Sequence, residues 1–358
     1  MNKSKGKGKS KGNKRRVSKK RSTRKRLVGG TNLYFVDPDA HKFSYPELKK
    51  FVKHILEGNN AKNILTTHIP KFSTENKHSN IMCACILLLA AFTKQNTKPT
   101  KPSILYIKGG VAVQIELSKI AHARPDLEGE LTYSTNDVDY VAADVNVATE
   151  FATALTKYIN PLISSQNLEL SFVNIPSVDN KASLVKISVK EKDGPYNPII
   201  DIAYDAIRGG HSYEFDEINA TDDCLYIEGG GDNQIGYCYC SPKPQQLLLE
   251  KMYYIEKLTR PKRERKPLEV RNKDGELVTI AAPVKEIATV KDVDSKFKDS
   301  LHRSTNTLLD AFAKFHDSER DKILNYVMDL YFDKYVPDND EEKLDIIGRL
   351  HGFLEPRV

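Results

Sequence analysis

Ile104-Leu105-Tyr106-Ile107-Lys108-Gly109-Gly110-Val111-Ala112 and Asp137-Val138-Asp139-Tyr140-Val141-Ala142 decide how this chain is read. The first stretch opens as an apolar run of strand type, turns on a glycine pair, and continues into helical spacing from Val111 to Ile120. A strand, a glycine turn and a helix start leave backbone N–H groups uncovered at the positive end of a helix dipole, which is a place to hold phosphate. The second stretch puts carboxylates at i and i+2 within an apolar run. In a strand these share one face. Two adjacent carboxylates repel, and a divalent cation is their natural partner. Phosphate cradle and paired carboxylates together predict chemistry on a nucleoside triphosphate.

On these residues the chain resembles the nucleotidyltransferase superfamily of poly(A) polymerases, CCA-adding enzymes, the polymerase β group and small bacterial nucleotidyltransferases. Its pattern is a Gly-Gly or Gly-Ser turn, then Asp-x-Asp, then a third carboxylate on a later strand. Double-glycine members include viral poly(A) polymerases and the AbiEii-like group. The resemblance covers roughly residues 100 to 206, and more loosely the helix near 245 to 258. It implies Asp137, Asp139 and Asp201 as catalytic carboxylates that bind Mg²⁺ or Mn²⁺, the usual arrangement being two ions about 3.5–4 Å apart. Asp201 lies in Ile199-Ile200-Asp201-Ile202-Ala203-Tyr204. Asp205 falls on the same strand face by alternation, so the third ligand is Asp201 or Asp205, with the apolar neighbours of Asp201 favouring it. Lys108, Gly109 and Gly110 would bind the nucleotide. Lys251, inside the helical pattern Pro244 to Leu258, would reach the triphosphate as a point charge. One departure stands out: 27 positions separate Gly110 from Asp137, and His122 to Asn136 reads as an inserted loop.

The expected fold class is α+β: a small mixed sheet with flanking helices, then a helical C-terminal part. The order is helix (Tyr45–Leu56), buried helix (Ser79–Lys94), strand, helix, insertion, strand, helix (Asn146–Ile159, ended by Pro161) and three strand-like runs at 168–173, 184–189 and 199–204. A short strand (Ile235–Cys240), the helix at 244, and a hairpin around Asp274-Gly275 follow. Three helical pieces, broken near Asp317 and Pro337, close the chain. The divisions are a basic tail (1–30), a catalytic domain (31–241) and a helical domain (242–358).

Charge is unevenly spread. The whole chain has 55 basic and 48 acidic side chains, for a net +7. Residues 1–27 hold 14 of the basic groups and no acid, so the remainder counts 41 against 48, or −7. Such a tail reads as disordered. Lys14, Arg15, Arg16, Arg24, Lys25 and Arg26, with Lys262 and Arg263 in a second cluster, are candidate phosphate contacts to nucleic acid. The tail also resembles N-termini of proteins from large DNA viruses, and suits a nuclear address. Hydrophobic residues make up 39% and charged ones 29%, a soluble composition. The longest apolar run (Ile81–Phe92) is too short to span a bilayer. Five cysteines without a regular framework indicate a reducing, intracellular setting, cytoplasmic by default. Cys238 and Cys240 share a strand face but have no third ligand at zinc spacing. Gly229-Gly230-Gly231 is flanked by acids, which disfavours phosphate there.

The function that follows is transfer of a nucleoside monophosphate from a triphosphate, ATP favoured, to a hydroxyl, with an RNA 3′ end as acceptor by resemblance to poly(A) polymerases. Two alternatives stay open: modification of a protein or small molecule, and a catalytically silent fold that binds nucleic acid or serves in a virion.

Overall fold

Five strands build the sheet that positions the acidic residues in this computed structural model. The structure describes residues 45–96, 104–175, 183–204, 224–228, 235–260, 268–271, 277–280 and 291–355. Strands β1 (Leu105–Lys108), β2 (Val138–Ala142), β3 (Leu168–Ile175), β4 (Ser183–Glu191) and β5 (Tyr196–Tyr204) lie in the order β1-β2-β5-β4-β3. Only the β2–β5 pairing is parallel; β1–β2, β4–β5 and β3–β4 are antiparallel. The mixed sheet follows from the connections. Helix α4 (Gly109–Ala123) and the insertion separate β1 from β2, while β3, β4 and β5 follow one another as a meander.

Register decides which side chains meet. Lys108 pairs with Asp139, Asp139 with Asp201, and Asp201 with Lys186, so one row of the sheet reads Lys-Asp-Asp-Lys across four strands. Register partners point to the same face. The row beneath on that face is apolar: Tyr106, Val141, Ala203 and Leu184. The opposite face carries Ile107, Tyr140, Ile202 and Val185, which enter the main core, with α4 and α5 (Val145–Ile163) laid against the sheet.

Helix α5 starts at Asp144, whose carboxylate accepts from the amides of Asn146 at 2.7 Å and Val147 at 2.9 Å. That satisfies two of the first-turn donors. Asp144→Ala is expected to lower stability by about 1 kcal/mol, read as a shift in urea midpoint without a change in slope. Pro161 lies within α5 rather than after its end. Burial of Ile163 holds the last turn on the core and offsets part of the cost of the hydrogen bond that proline removes.

Around this unit stand α1 (Tyr45–Leu56), α2 (Asn60–His68) and α3 (Ser79–Asn96). Helix α2 has no counterpart in the sequence reading, because its few apolar residues give a weak stripe. Helix α3 is buried nearly throughout, as its all-round apolar sequence predicts. Strands β6 (Cys224–Ile227) and β7 (Tyr237–Cys240) form a hairpin that lies against β1. Its Tyr237 and Tyr239 join the main core, while Cys238 and Cys240 join Tyr106, Val141 and Ala203 in a small second cluster.

Helix α6 (Pro244–Thr259) packs against α4, α7 (Lys291–Phe315), α8 (Arg320–Lys334) and α9 (Asp340–Leu354). The breaks expected near Asp317 and Pro337 are present, and Asp317 carries a positive φ of 48°. Strands β8 (Leu268–Arg271) and β9 (Leu277–Ile280) pair antiparallel, with Leu268 facing Ile280. Their turn at Asp274-Gly275 lies outside the described residues. So do the basic tail, Asp205, the glycine run at 229–231, Lys262 and Arg263. Among the described residues no helix is long and apolar enough to cross a membrane.

Candidate active site

The candidate site forms where β1 runs into α4. Lys108 is the N-cap of α4 and no side chain caps that end. Gly109 adopts φ +63°, a left-handed conformation that side-chain-bearing residues rarely take. Contact as well as conformation requires glycine here. A Cβ on Gly109 would stand 2.1 Å from Asp139 Oδ2, and one on Gly110 would stand 2.5 Å from Thr135 Oγ1. The bare backbone of the turn therefore presses directly on one of the carboxylates.

A cleft of about 1100 Å³ opens over this turn. Lys108, Gly109, Gly110, Asp137, Asp139 and Lys251 all line it. Asp201 is the register neighbour of Asp139 but belongs to the sheet beside the cleft rather than to its walls. Its Oδ2 lies 3.1 Å from Lys186 Nζ, whereas its Oδ1 is buried and receives no hydrogen bond. Six of the sequence-derived candidates thus share one cavity and the seventh adjoins it.

The electrostatics are those of charges held near one another inside protein walls. Burial pushes the Asp139 carboxyl up to about 7; Lys108 opposes this, and Asp137, Asp201 and Glu250 reinforce it. Asp137 is raised in the same direction by burial and then by Asp201. Asp137 is open to solvent through the cleft, so its shift matters less for stability than that of Asp139. Lys251, on buried α6, is lowered to about 8 chiefly by burial, with Glu250 and Asp139 pulling it back up. Its Nζ donates to Ser304 Oγ at 2.8 Å. Lys108 stands 3.8 Å from Glu250.

The residues fit a divalent cation on two counts. A buried carboxylate oxygen with no hydrogen-bond donor is costly unless something cationic reaches it. Carboxyls pushed upward by one another and by burial lose that penalty when a cation binds. A hard divalent ion with oxygen ligands, Mg²⁺ or Mn²⁺, suits this donor set.

Several cleft residues escaped the sequence reading. The insertion is not a plain loop. It contains a 3₁₀ turn (Pro125–Glu130), and its last residues return to form a wall with Tyr133 and Thr135. Gln114 of α4 holds that wall, donating to the carbonyl oxygens of Ser73 at 2.6 Å and Tyr133 at 2.9 Å. Helix α7 closes the other side with Ser300, Arg303 and Ser304. Tyr133 hydrogen-bonds to Ser300 and Ser304, and Arg303 lies near it. The polar i, i+3, i+4 stripe at 300, 303 and 304 was the one available signal, and it reads equally as a solvated helix face. The third cysteine is a correction as well. Cys238 and Cys240 do have a partner: Cys224 faces Cys240 across the hairpin and is joined to it by a disulfide. Partners on different strands cannot be found by ligand spacing along the chain.

No protein-family model matches the chain, and no curated protein matches it. Among solved structures, a crystal structure from H. pylori provisionally described as a nucleotidyltransferase aligns over 78% of this chain and 93% of its own. The identity is 11% and the TM-score 0.25, a likeness too slight to carry an argument.

Proposed function

We propose that this chain is a metal-dependent nucleotidyltransferase that moves a nucleoside monophosphate from a nucleoside triphosphate to a hydroxyl and releases pyrophosphate. The observation that carries the reading is the pairing of Asp139 with Asp201, with Asp137 on the same strand run, directly beside a glycine turn at a helix start. Asp137, Asp139 and Asp201 would hold Mg²⁺ or Mn²⁺, which supplies charge neutralisation at the phosphoryl oxygens and activation of the attacking hydroxyl. The chain's own groups do the rest. Backbone amides of Gly109 and Gly110 and the start of α4 receive phosphate oxygens. Lys108 and Lys251 bring positive charge to the same wall, where it would offset the negative charge of the departing pyrophosphate. Ser300, Arg303 and Ser304 orient what enters from the α7 side.

For the donor we favour ATP, and for the acceptor an RNA 3′ end. The basic residues Lys14, Arg15, Arg16, Arg24, Lys25, Arg26, Lys262 and Arg263 would hold its backbone, an interaction weakened by salt. Labelled nucleoside triphosphates, Mg²⁺ and an RNA oligonucleotide are expected to give extended RNA with the wild-type protein and none with Asp139→Ala. Label on protein in place of RNA would remove the RNA acceptor and keep the chemistry. No label on any acceptor, where a control polymerase succeeds, would overturn the activity itself.

A further inference from the structure

Three of the chain's five cysteines, Cys224, Cys238 and Cys240, gather on the β6–β7 hairpin, their sulfur atoms all within 4.8 Å of one another. Cys224 and Cys240 are cross-strand partners joined as a disulfide. Cys238 is outside that bond, yet its sulfur lies 3.4 Å from that of Cys240. Cys238 is hydrogen-bonded with Tyr226, but a disulfide does not require a third sulfur in contact with it. A metal site does.

We propose that, once its disulfide is reduced, the β6–β7 hairpin binds one thiophilic divalent cation, Zn²⁺, through the thiolates of Cys224, Cys238 and Cys240. The geometry is close to what the ion needs. With Zn–S bonds of about 2.3 Å in a tetrahedral arrangement, neighbouring sulfurs lie about 3.8 Å apart. The contact between Cys238 and Cys240 is near that spacing already. The Cys224–Cys240 pair must open from bonding distance to the same separation, a movement confined to side chains on facing strands. Cys238 and Cys240 are each 1% exposed, whereas Cys224 is only half-buried. The site therefore opens to solvent on the β6 side, where water can fill the fourth position.

A dithiol reductant gives two electrons and two protons to the Cys224–Cys240 bond, which becomes two thiols, and leaves as its own disulfide. Zn²⁺ then displaces the thiol protons to solvent as three Zn–S bonds form. Disulfide and metal complex exclude each other, so the reducing poise of the compartment selects between them. The remaining cysteines, Cys83 and Cys85 on α3, do not compete. Both are buried in the main core, and burial pushes the Cys83 thiol up to about 12, far from the thiolate that metals require.

Cobalt is the probe, because thiolate-to-cobalt charge transfer reports sulfur ligands and is silent for an ion held by carboxylates. The full-length protein is reduced with a dithiol, freed of it under argon, and titrated with Co²⁺. The expected result is a charge-transfer band that saturates at one Co²⁺ per chain and is abolished by Zn²⁺. Cys238→Ser is expected to weaken Co²⁺ binding at least 100-fold. A second measurement uses only the wild type: Zn²⁺ is expected to protect Cys224, Cys238 and Cys240 from alkylation, read by peptide mass spectrometry. Absence of the band in fully reduced protein, a band unchanged by Cys238→Ser, or alkylation of these cysteines unaffected by Zn²⁺ would each overturn the proposal. None of these readouts requires nucleotidyl transfer, so the proposal stands or falls apart from that activity.

Discussion

Asp139→Asn is expected to abolish nucleotidyl transfer and, in metal-free buffer, to stabilise the fold. The loss follows from its place between Asp137 and Asp201 on one sheet face. An amide keeps the shape and removes the charge on which the proposed cation binding depends. Metal-assisted charge stabilisation of several kcal/mol corresponds to roughly 10³-fold or more in rate. The gain follows from the carboxyl's position above the usual range, at about 7. In the unfolded chain this group ionises near pH 4, while the native protein keeps its proton to about pH 7. Between those values the native state binds more protons, so stability falls as pH rises through the window. Asparagine removes that slope. Thermal unfolding in EDTA is expected to show the variant more stable than wild type at pH 8 by on the order of 2 kcal/mol, and the two converging towards pH 4. A variant that is equally unstable at pH 8 would mean Asp139 is not the strained group, whatever its role in transfer.

Gly109→Ala is expected to be as damaging to activity as the aspartate variant, with the opposite effect on stability. The left-handed backbone at φ +63° disfavours alanine, and the new methyl would lie 2.1 Å from Asp139 Oδ2. Either the turn or the carboxylate must move. The backbone term costs about 1 kcal/mol or more, and displacement of Asp139 adds to it. A total of about 2–4 kcal/mol is in the range of strained special-φ positions with a steric conflict. Gly58→Ala is the matched control, since Gly58 shares the left-handed backbone (φ +57°) and nothing lies within 4 Å of its Cβ. The control is expected to lose only the backbone cost of about 1 kcal/mol and to keep its activity. Thermal melts and transfer assays on the pair separate a generic glycine effect from this contact. Equal behaviour of the two variants would rule out the proposed contact.

The parts of the site legible in the sequence are those whose logic is local. A strand, two glycines and a helix start occupy consecutive residues. Asp137 and Asp139 share a face because alternation alone places them there. Asp201 was legible as one of two candidates, since parity puts Asp201 and Asp205 on the same face and cannot choose between them. What was not legible is register. Lys186 in β4 reads as an ordinary polar position of a half-buried strand, and only pairing puts it against Asp201. Cys224 acquires meaning only opposite Cys240. Ser300, Arg303 and Ser304 come from a helix more than a hundred residues beyond the glycine turn, and nothing in their own spacing points to it. The insertion shows a different limit. Proline, glycine and charge mark His122 to Asn136 as irregular, which is right for its middle. That mark conceals Tyr133 and Thr135, which return to the site because Gln114 pins the backbone there.

The order Lys108, Asp139, Asp201, Lys186 across the sheet also bears on how the protein is made. Two carboxylates on adjacent central strands would resist pairing of β2 with β5 while the chain assembles. A lysine at each end of the row supplies positive charge during assembly. The sheet can therefore close without an ion, and the proposed cation would bind afterwards. In this respect the chain would differ from small metal-nucleated domains, whose folding waits for the ion. Refolding from denaturant in EDTA would then yield a folded, idle protein, and the proposed activity would appear on adding Mg²⁺ with no second passage through the unfolded state.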